Sequence, residues 1–317
     1  MCRLPLRGAA KATSMAREPF ADQVGLLVRT LPYIAGEPGF ALKGGTAINL
    51  FYHDMPRLSV DIDLTFLSTE SHETALTAID ATLDRIATSI AGSNTLRVSR
   101  MQGGSGNATR LLVQSGKARI KIETSPIARG TVHPPAVRAV TPAVEDEFGF
   151  AEILTVAFED LYGGKLVAAL DRQHPRDLFD VKLLYQNEGL TDDLFRVFLV
   201  YLAGSGRPPH EILAPDMLDI TQAYDRQFIG MTVEPIALAE LLEVRARLVA
   251  DIQARLDGNS KHFLLSLLDG APDFDAIGLP GAATLPAIGW KVLNLNRLRA
   301  ANPEKLAIQR AHLEALF

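Results

Sequence analysis

Two aspartates separated by one residue, Asp61 and Asp63, lie in the stretch Arg57-Leu58-Ser59-Val60-Asp61-Ile62-Asp63-Leu64. Side chains two positions apart on a β-strand project from the same face, so a strand here would present both carboxylates together and its apolar residues to a core. Aligned carboxylates repel each other unless a cation neutralises them. Mg²⁺ suits such a pair, because it binds carboxylate oxygens and keeps positions for phosphate and water. The alternative is an ordinary solvated pair of charges on an exposed strand.

A glycine-rich turn, Lys43-Gly44-Gly45-Thr46, precedes this strand and follows the apolar residues Phe40–Leu42. Thr46 is a favourable N-cap residue, so the sequence predicts a short helix over residues 46–52 that begins at this threonine. A turn of this size next to a metal site suggests phosphate binding and nucleotide chemistry. An ordinary loop followed by a helix cap would have the same sequence.

A third acid, Glu123, ends a stretch with a period of two residues, Arg119-Ile120-Lys121-Ile122-Glu123. The isoleucines face one way and the charged residues face the other. If this strand lies beside the strand of Asp61 and Asp63, the three carboxylates converge and could hold the metal ions of a transfer reaction. An exposed sheet edge kept soluble by its charges is the competing interpretation.

Gly163 and Gly164 lie inside a predicted helix and are followed by Lys165. Glycine costs about 1 kcal/mol in a helix interior relative to alanine, so the pair indicates close approach to another backbone or to a ligand. Lys165 could then reach a triphosphate as a compact cation. Taken alone, a plain surface lysine is the more economical interpretation.

Another helix is predicted to begin after Pro175, with Arg176, Asp177 and Asp180 in its first turns. Asp177 and Asp180 are three positions apart and therefore share a helix face. One of them could brace Lys165 or Arg176, and the other could contact a nucleotide. Equally, both acids could be there because the helix dipole favours negative charge near the N-terminus.

The bulk properties leave a globular protein with a local site. The chain has 317 residues, a formal net charge of −5 and a single cysteine. Its length favours two domains. The net charge disfavours sequence-blind polyanion binding but permits a local basic patch. One cysteine excludes an intrachain disulfide and a thiolate-rich zinc site, and the cytosol is the expected compartment. No apolar run approaches the roughly 18–20 residues of a membrane span, and the first residues do not resemble a secretory signal.

Hydrophobic periodicity predicts a mixed α/β (α+β) front and a helical back. The predicted helices cover residues 17–35, 71–92 and 158–170, and the predicted strands cover residues 59–66, 95–101, 108–114, 118–123 and 153–156. Turns are predicted at residues 103–107 and 115–116, and the proline-rich residues 126–142 are predicted to be extended. The predicted domain boundaries are a disordered extension at 1–16, a core at 17–190 and a helical domain at 191–317.

The ordered set of motifs resembles the AbiEii-type nucleotidyltransferase toxins, which include the MenT enzymes and form the toxin half of bacterial toxin–antitoxin and phage-defence pairs. The resemblance covers about residues 20–190 and rests on five blocks, namely Leu42–Ala47, Arg57–Leu64, Lys121–Glu123, Gly163–Ala168 and Arg176–Asp180. It implies a polymerase-β-like nucleotidyltransferase core with a mixed sheet, followed by a helical C-terminal domain.

The resemblance also implies roles for individual residues. Asp61, Asp63 and Glu123 would hold Mg²⁺ or Mn²⁺. The nucleotide would be bound by Lys43, Gly44, Gly45, Thr46, Ser59 and Lys165. The catalytic set would be Asp61, Asp63, Glu123, Lys165 and the motif aspartate, which is either Asp177 or Asp180.

The implied reaction is transfer of a nucleoside monophosphate from an NTP to an RNA acceptor, with the 3′ end of tRNA favoured, and the implied protein partner is a cognate antitoxin. Basic residues available for RNA are Arg172, His174 and Arg176, with Arg297, Arg299, Lys305 and Arg310 near the C-terminus, where solvated helix faces are the alternative. A small-molecule nucleotidyltransferase, a protein-modifying transferase and a non-catalytic NTP-binding regulator are the remaining alternatives.

Overall fold

A long N-terminal helix opens the fold. The computed structural model describes residues 7–101 and 109–317, without the side chains of residues 7–19. Helix α1 spans Arg7–Ala35 and buries the apolar positions from Val24 to Ile34. It therefore begins ten residues earlier than the predicted residue 17, and the disordered extension at residues 1–16 stays a prediction. Residues 1–6 of that predicted extension lie outside the described residues.

Seven strands form one mixed sheet, in the order β3-β4-β5-β2-β1-β7-β6. The pairs β2–β5 and β1–β7 are parallel, and the other neighbours are antiparallel. The strands are β1 (Phe40–Lys43), β2 (Asp61–Phe66), β3 (Arg97–Met101), β4 (Arg110–Ser115), β5 (Ala118–Thr124), β6 (Ala136–Ala139) and β7 (Glu152–Thr155). The mixed sheet predicted from the sequence is confirmed.

Local sequence signals explain the elements around these strands. Between β2 and β3, helix α3 (His72–Ala91) begins at Ser71, whose hydroxyl accepts a hydrogen bond from the Thr74 N–H. Strands β4 and β5 form a hairpin whose turn contains Gly116 in the left-handed region (φ +57°), which favours glycine. The turn predicted at residues 103–107 lies outside the described residues.

The proline-rich stretch 126–142 is more regular than predicted. It contains β6, and helix α4 (Pro142–Phe148) begins at its end. Strand β6 is the last strand of the sheet, and all four of its residues are exposed. An exposed edge strand has no buried face, so no alternation of apolar and polar residues marks it in the sequence.

Helices dominate the rest of the chain. They are α2 (Gly44–Ala47, continuing as a π-helical turn over Ile48–Tyr52), α5 (Phe158–Asp171), α6 (Pro175–Gln186), α7 (Asp192–Ala203), α8 (Pro209–Leu213), α9 (Thr221–Gln227), α10 (Leu238–Ala254), α11 (Gly258–Asp269), α12 (Pro286–Ala301) and α13 (Pro303–Glu314). Within the described ranges, no helix combines the length and the apolar character that crossing a bilayer requires.

Helices α5 and α7 pack closely, which explains the glycine pair in α5. A Cβ atom at Gly163 would lie 3.1 Å from side-chain atoms of both Val197 and Tyr201 in α7. The close backbone approach indicated by the sequence is therefore an approach to α7. One hydrophobic core runs from the sheet to residues of α7 and α11. The domain boundary at residue 190 stays a prediction.

Candidate active site

Four charged side chains form a row across neighbouring strands. Lys43 on β1 pairs with Asp63 on β2, Asp63 pairs with Glu123 on β5, and Glu123 pairs with Arg110 on β4. Residues directly opposite each other on adjacent strands lie on the same face of a sheet. Asp61 joins this face because it precedes Asp63 by two positions. The two central positions of the row are both acidic, with one cation on each side.

The three predicted metal ligands line one cleft with a volume of about 460 Å³. Residues of helices α5 and α6 line the same cleft as the acids. Of the residues predicted from the sequence, those lining the cleft are Lys43, Gly44, Gly45, Ser59, Asp61, Asp63, Glu123, Lys165, Arg172, Arg176 and Asp177. The cleft therefore combines two groups of residues. We call Asp61, Asp63 and Glu123 the carboxylate floor, and Lys165, Arg172 and Arg176 the cationic wall.

The chemistry of the floor fits a divalent cation. Burial raises the pKa of Asp63, and the neighbouring Asp61 raises it further, so attraction to Lys43 does not compensate for the loss of solvent. A bound Mg²⁺ or Mn²⁺ would supply the missing positive charge, and carboxylate oxygens are its preferred ligands. Glu123 meanwhile lies 3.3 Å from Arg110, measured from Oε1 to Nε.

The carboxylates of Asp61, Asp63 and Glu123 do not all lie within 4.8 Å of one another. Among the described residues, one set of three side chains has ligand atoms all within 4.8 Å of one another, and it is His133, Glu159 and Asp193. None of these three lines the cleft.

The glycine-rich turn differs from the sequence prediction. The helix begins at Gly44, and Lys43 occupies the N-cap position, so Thr46 lies inside the first turn. Thr46 is fully buried, and its hydroxyl donates to the backbone carbonyl of Asp61 (2.6 Å). Thr46 therefore ties the turn to β2, and its hydroxyl does not face the cleft where phosphate binding was predicted.

Gly44 provides a testable prediction, because its φ of +76° disfavours other residues and a Cβ there would overlap Oδ2 of Asp63. We expect Gly44→Ala to lower the free energy of unfolding by about 1–3 kcal/mol and activity by about tenfold or more. Chemical denaturation and an initial-rate assay would check this. Gly258→Ala is the matched control, since a Cβ there meets nothing within 4 Å; equal effects in both variants would contradict the prediction.

Lys165 is the centre of a buried ionic network. Its ammonium group lies 2.7 Å from Oδ1 of Asp177 and 2.9 Å from Oδ2 of Asp180. Arg172 binds Asp177 through Nε (2.6 Å) and Nη2 (2.9 Å). Burial alone would lower the pKa of Lys165, but the two aspartates outweigh it and raise that pKa. Lys165 is therefore a charged group held at the cleft wall.

Asp180 does not line the cleft, in contrast to its predicted catalytic position. It is fully buried and forms a bidentate pair with Arg57, at 2.7 Å from Nε and 2.6 Å from Nη2. Asn49 also donates to Asp180 from Nδ2 (3.3 Å). Of the two candidate aspartates, Asp177 is the one that reaches the cleft. Asp180 instead positions Arg57 and Lys165.

Arg57, for which no role was predicted, lines the cleft beside the glycine-rich turn. A Cβ at Gly45 would lie 2.6 Å from Nη2 of Arg57, so the turn and the guanidinium are in close contact. The available signal was its position four residues before Asp61 in the motif. Its partner Asp180 is distant in sequence, and no local pattern connects the two.

The predicted RNA-binding residues separate into two groups. Arg172 and Arg176 line the cleft, whereas His174 does not. His174 is the N-cap of α6: its Nδ1 accepts from the Arg176 N–H (3.2 Å), and its Nε2 lies 3.1 Å from Oε1 of Gln227. Burial lowers the pKa of Arg176, as does the nearby Arg57, and Arg176 makes no ion pair with any residue that the structure describes.

Asp160 and Tyr201 are further cleft residues without a predicted role. Asp160 accepts hydrogen bonds from the backbone N–H groups of Val132 (2.7 Å) and His133 (2.8 Å) and from the Tyr201 hydroxyl (2.9 Å). Burial raises the pKa of Asp160 despite these donors. These contacts hold the 132–133 segment and α7 against α5.

A family of known proteins and a solved structure match the chain. Residues 25–281 match the family described as "Nucleotidyl transferase AbiEii toxin, Type IV TA system". Among solved structures, the chain is similar to MenT4, a nucleotidyltransferase toxin from Mycobacterium tuberculosis H37Rv, with a TM-score of 0.61 and 15% sequence identity. That match covers 92% of this chain and 99% of MenT4, and at this identity it shows a shared fold. No curated protein matches the chain.

Proposed function

Because the chain belongs to the AbiEii family of nucleotidyltransferase toxins, we propose that it transfers a nucleoside monophosphate from an NTP to an RNA acceptor, the 3′ end of tRNA. As a toxin of a type IV toxin–antitoxin system, it has an NTP as substrate and an antitoxin as partner. The observation that carries the proposal is the single cleft in which Asp61, Asp63 and Glu123 face Lys165. The proposed place of action is the cytoplasm, where NTPs and tRNA occur.

The acids of the floor would hold the metal ions. Asp61, Asp63 and Glu123 supply carboxylate oxygens, and Mg²⁺ or Mn²⁺ bound there would neutralise triphosphate charge and lower the pKa of the attacking hydroxyl. In the proposed reaction the acceptor oxygen bonds to the α-phosphorus, and the bond from that phosphorus to the leaving pyrophosphate breaks. Phosphoryl transfer of this type depends mainly on positioning and charge neutralisation.

The cationic wall would position the triphosphate. Arg176 has no competing carboxylate partner among the described residues, so it is free to bind a phosphate group. Arg172 and Lys165 already neutralise Asp177, and they add positive potential behind it. Backbone N–H groups at Gly44 and Gly45 lie at the start of a short helix and can bind phosphate oxygens.

Labelling with radioactive NTPs tests the proposed function directly. Purified protein would be incubated with Mg²⁺, total tRNA and each ribonucleoside triphosphate labelled at the α-phosphate. We expect label in the RNA fraction with at least one NTP, and none with Asp61→Asn. Label in a small molecule or in a polypeptide, with none in RNA, would replace the proposed acceptor. Absence of transfer to every acceptor would reject the activity.

Replacing Arg176 is predicted to weaken NTP binding without lowering the stability of the protein. We expect Arg176→Ala to raise the KM for NTP about tenfold or more, because a charge-assisted phosphate contact is lost. The melting temperature should stay the same or rise, since burial and the neighbouring Arg57 already disfavour the charge of Arg176. Initial rates against NTP concentration and thermal unfolding would check both effects.

Arg172→Ala is the comparison for Arg176→Ala. It removes the two hydrogen bonds to Asp177 and should lower the melting temperature. If Arg176→Ala left the KM for NTP unchanged, phosphate binding by Arg176 would be excluded.

A further inference from the structure

Resting on the proposed function, we propose that a groove beside the cleft binds the single-stranded end of the RNA acceptor, with a base stacked on Trp290. The groove, called here the side groove, consists of two adjoining cavities of about 200 Å³ and 520 Å³. The smaller cavity shares Lys43, Gly164 and Tyr201 with the cleft, and Ala128 lines all three spaces. A strand in the side groove would therefore lead to the catalytic acids.

The chemistry along the side groove changes with distance from the cleft. Its inner cavity is mainly apolar and is lined by Val167, Val200, Leu285 and Ile288. Its outer cavity is lined by Trp290 with polar and cationic groups, including Asn294 and Lys305. An apolar pocket next to an aromatic side chain and a cation is the pattern that binds unpaired bases and their phosphates.

Trp290 is exposed enough for an RNA base to stack on its side chain. It is the single tryptophan of the chain, and 42% of it is exposed even though tryptophan is a large apolar side chain. The ring of His72 lies against it, with 6.3 Å between ring centroids and an angle of 30° between the planes. This contact supports the indole on one side and leaves the exposed portion for a partner.

A cation of the outer cavity favours RNA. Between Pro286 and Glu314, helices α12 and α13 carry five lysines and arginines against two glutamates, but Arg310 of this set pairs with Asp269 of α11, and only Lys291 and Lys305 of the set line the side groove. Lys305 is exposed and forms no ion pair within the described part of the chain. Glu211 also lines the side groove, but it is paired with Arg207. Lys305 is therefore the cation of the outer cavity that complements a phosphate group of the strand.

The shape of the side groove favours a single strand. The outer cavity, at about 520 Å³, has the volume of pockets that hold small ligands, roughly 300–1,000 Å³ in general, so it fits an individual nucleotide, and the inner cavity of about 200 Å³ is smaller. RNA duplexes are bound mainly across a wide, shallow minor groove, whereas unstacked bases at single-stranded ends stack on aromatic side chains. The wall of the groove is held in place by Lys291, whose ammonium group donates to the carbonyl oxygens of Ser205 (2.9 Å) and Arg207 (2.6 Å).

Tryptophan fluorescence tests this proposal without any catalysis. Since Trp290 is the only tryptophan, its emission reports the side groove alone. We expect saturable quenching by a short single-stranded oligoribonucleotide, weaker quenching by the blunt duplex of the same sequence, and weaker binding at higher salt. Equal quenching by strand and duplex, or no quenching, would overturn the proposal.

Kinetics provide the second measurement. Trp290→Ala should raise the KM for RNA about tenfold, the effect of losing one base–aromatic stack, with kcat and the KM for NTP unchanged. Trp290→Phe should retain most of the binding. Phe150→Ala is the matched control, because Phe150 is an exposed aromatic residue outside the side groove. If the wild type labels RNA and Trp290→Ala has the same KM for RNA as the wild type, RNA binding in the side groove is rejected and the transferase function stands. If the wild type labels no RNA, the transferase function is rejected, and the fluorescence quenching alone tests RNA binding in the side groove.

Discussion

Asp63→Asn is expected to abolish nucleotidyl transfer and, at the same time, to raise the melting temperature of the metal-free protein. Burial and the adjacent Asp61 raise the pKa of Asp63. A group whose pKa is higher in the folded state than in the unfolded state contributes stability below its unfolded pKa and loses it as the pH rises through the folded pKa. At a pH above both of these pKa values the charge of Asp63 therefore opposes folding, and asparagine removes that cost.

The catalytic loss follows from the same charge. In the proposed site, a metal ion would lose one carboxylate ligand and the triphosphate part of its neutralisation, which we expect to reduce kcat/KM by about 10³-fold or more, or about 4 kcal/mol. Added Mg²⁺ should raise the melting temperature of the wild type, because a ligand that binds only the folded state stabilises it. The variant should not respond.

Two measurements check the Asp63 prediction: transfer rates, and thermal unfolding with and without Mg²⁺. Glu152→Gln is the matched control, since it neutralises an exposed acid on β7 that lies outside the cleft. A variant that lost activity together with a large fall in melting temperature would indicate a structural role for Asp63 and would reject metal binding as its purpose.

The acidic floor could be predicted from the sequence because strand periodicity fixes which side chains share a face. The alternation around Asp61 and Asp63, and again around Glu123, defined one carboxylate face on each strand. Only the pairing of the two strands was missing, and the structure places Asp63 directly opposite Glu123. The glycine pair of α5 was equally informative, because glycine inside a helix has a cost that close packing against α7 explains.

The ionic network could not be predicted, because it depends on contacts between distant segments. Arg57 and Asp180 are both almost completely inaccessible to solvent, and charged residues are seldom fully buried unless they are paired. The spacing of apolar and polar residues along the chain does not indicate a pair between residues 123 positions apart. Thr46 was mispredicted for a different reason. The sequence indicated that it caps a helix, but Gly44 adopts the left-handed conformation and the helix begins there, so that Thr46 lies inside the first turn and is buried.

The largest expected effect on stability follows from that network, and it comes from removing Asp180. We expect Asp180→Ala to reduce the free energy of unfolding by about 3–5 kcal/mol, because Arg57 would lose its bidentate partner and Lys165 one of its two carboxylates inside the protein. Chemical denaturation would measure the change. Asp269→Ala is the control, since its pair with Arg310 is solvent-exposed and should contribute about 1 kcal/mol or less.

The pH dependence of the free energy of unfolding independently checks that the charges of Asp177 and Asp180 stabilise the folded state. Although burial opposes ionisation, Arg57 and Lys165 lower the pKa of Asp180, and Lys165 and Arg172 lower that of Asp177. Stability from such groups is present above the unfolded pKa of about 4 and is lost as the pH falls through the folded pKa. The wild type should therefore lose stability steadily in acid, and Asp180→Ala should lose less over the same range.

A double substitution distinguishes two causes of lost stability at Asp180: an unpaired buried charge and lost side-chain packing. In Arg57→Met with Asp180→Leu, no unpaired charge remains at the Arg57 position, and apolar side chains fill a similar volume. Buried ion pairs replaced in this way often leave stability unchanged or higher. We therefore expect the double variant to be more stable than Asp180→Ala but inactive, since Arg57 no longer supports the glycine-rich turn. If the double variant were the less stable of the two, packing at Asp180, and not an unpaired charge, would explain the loss.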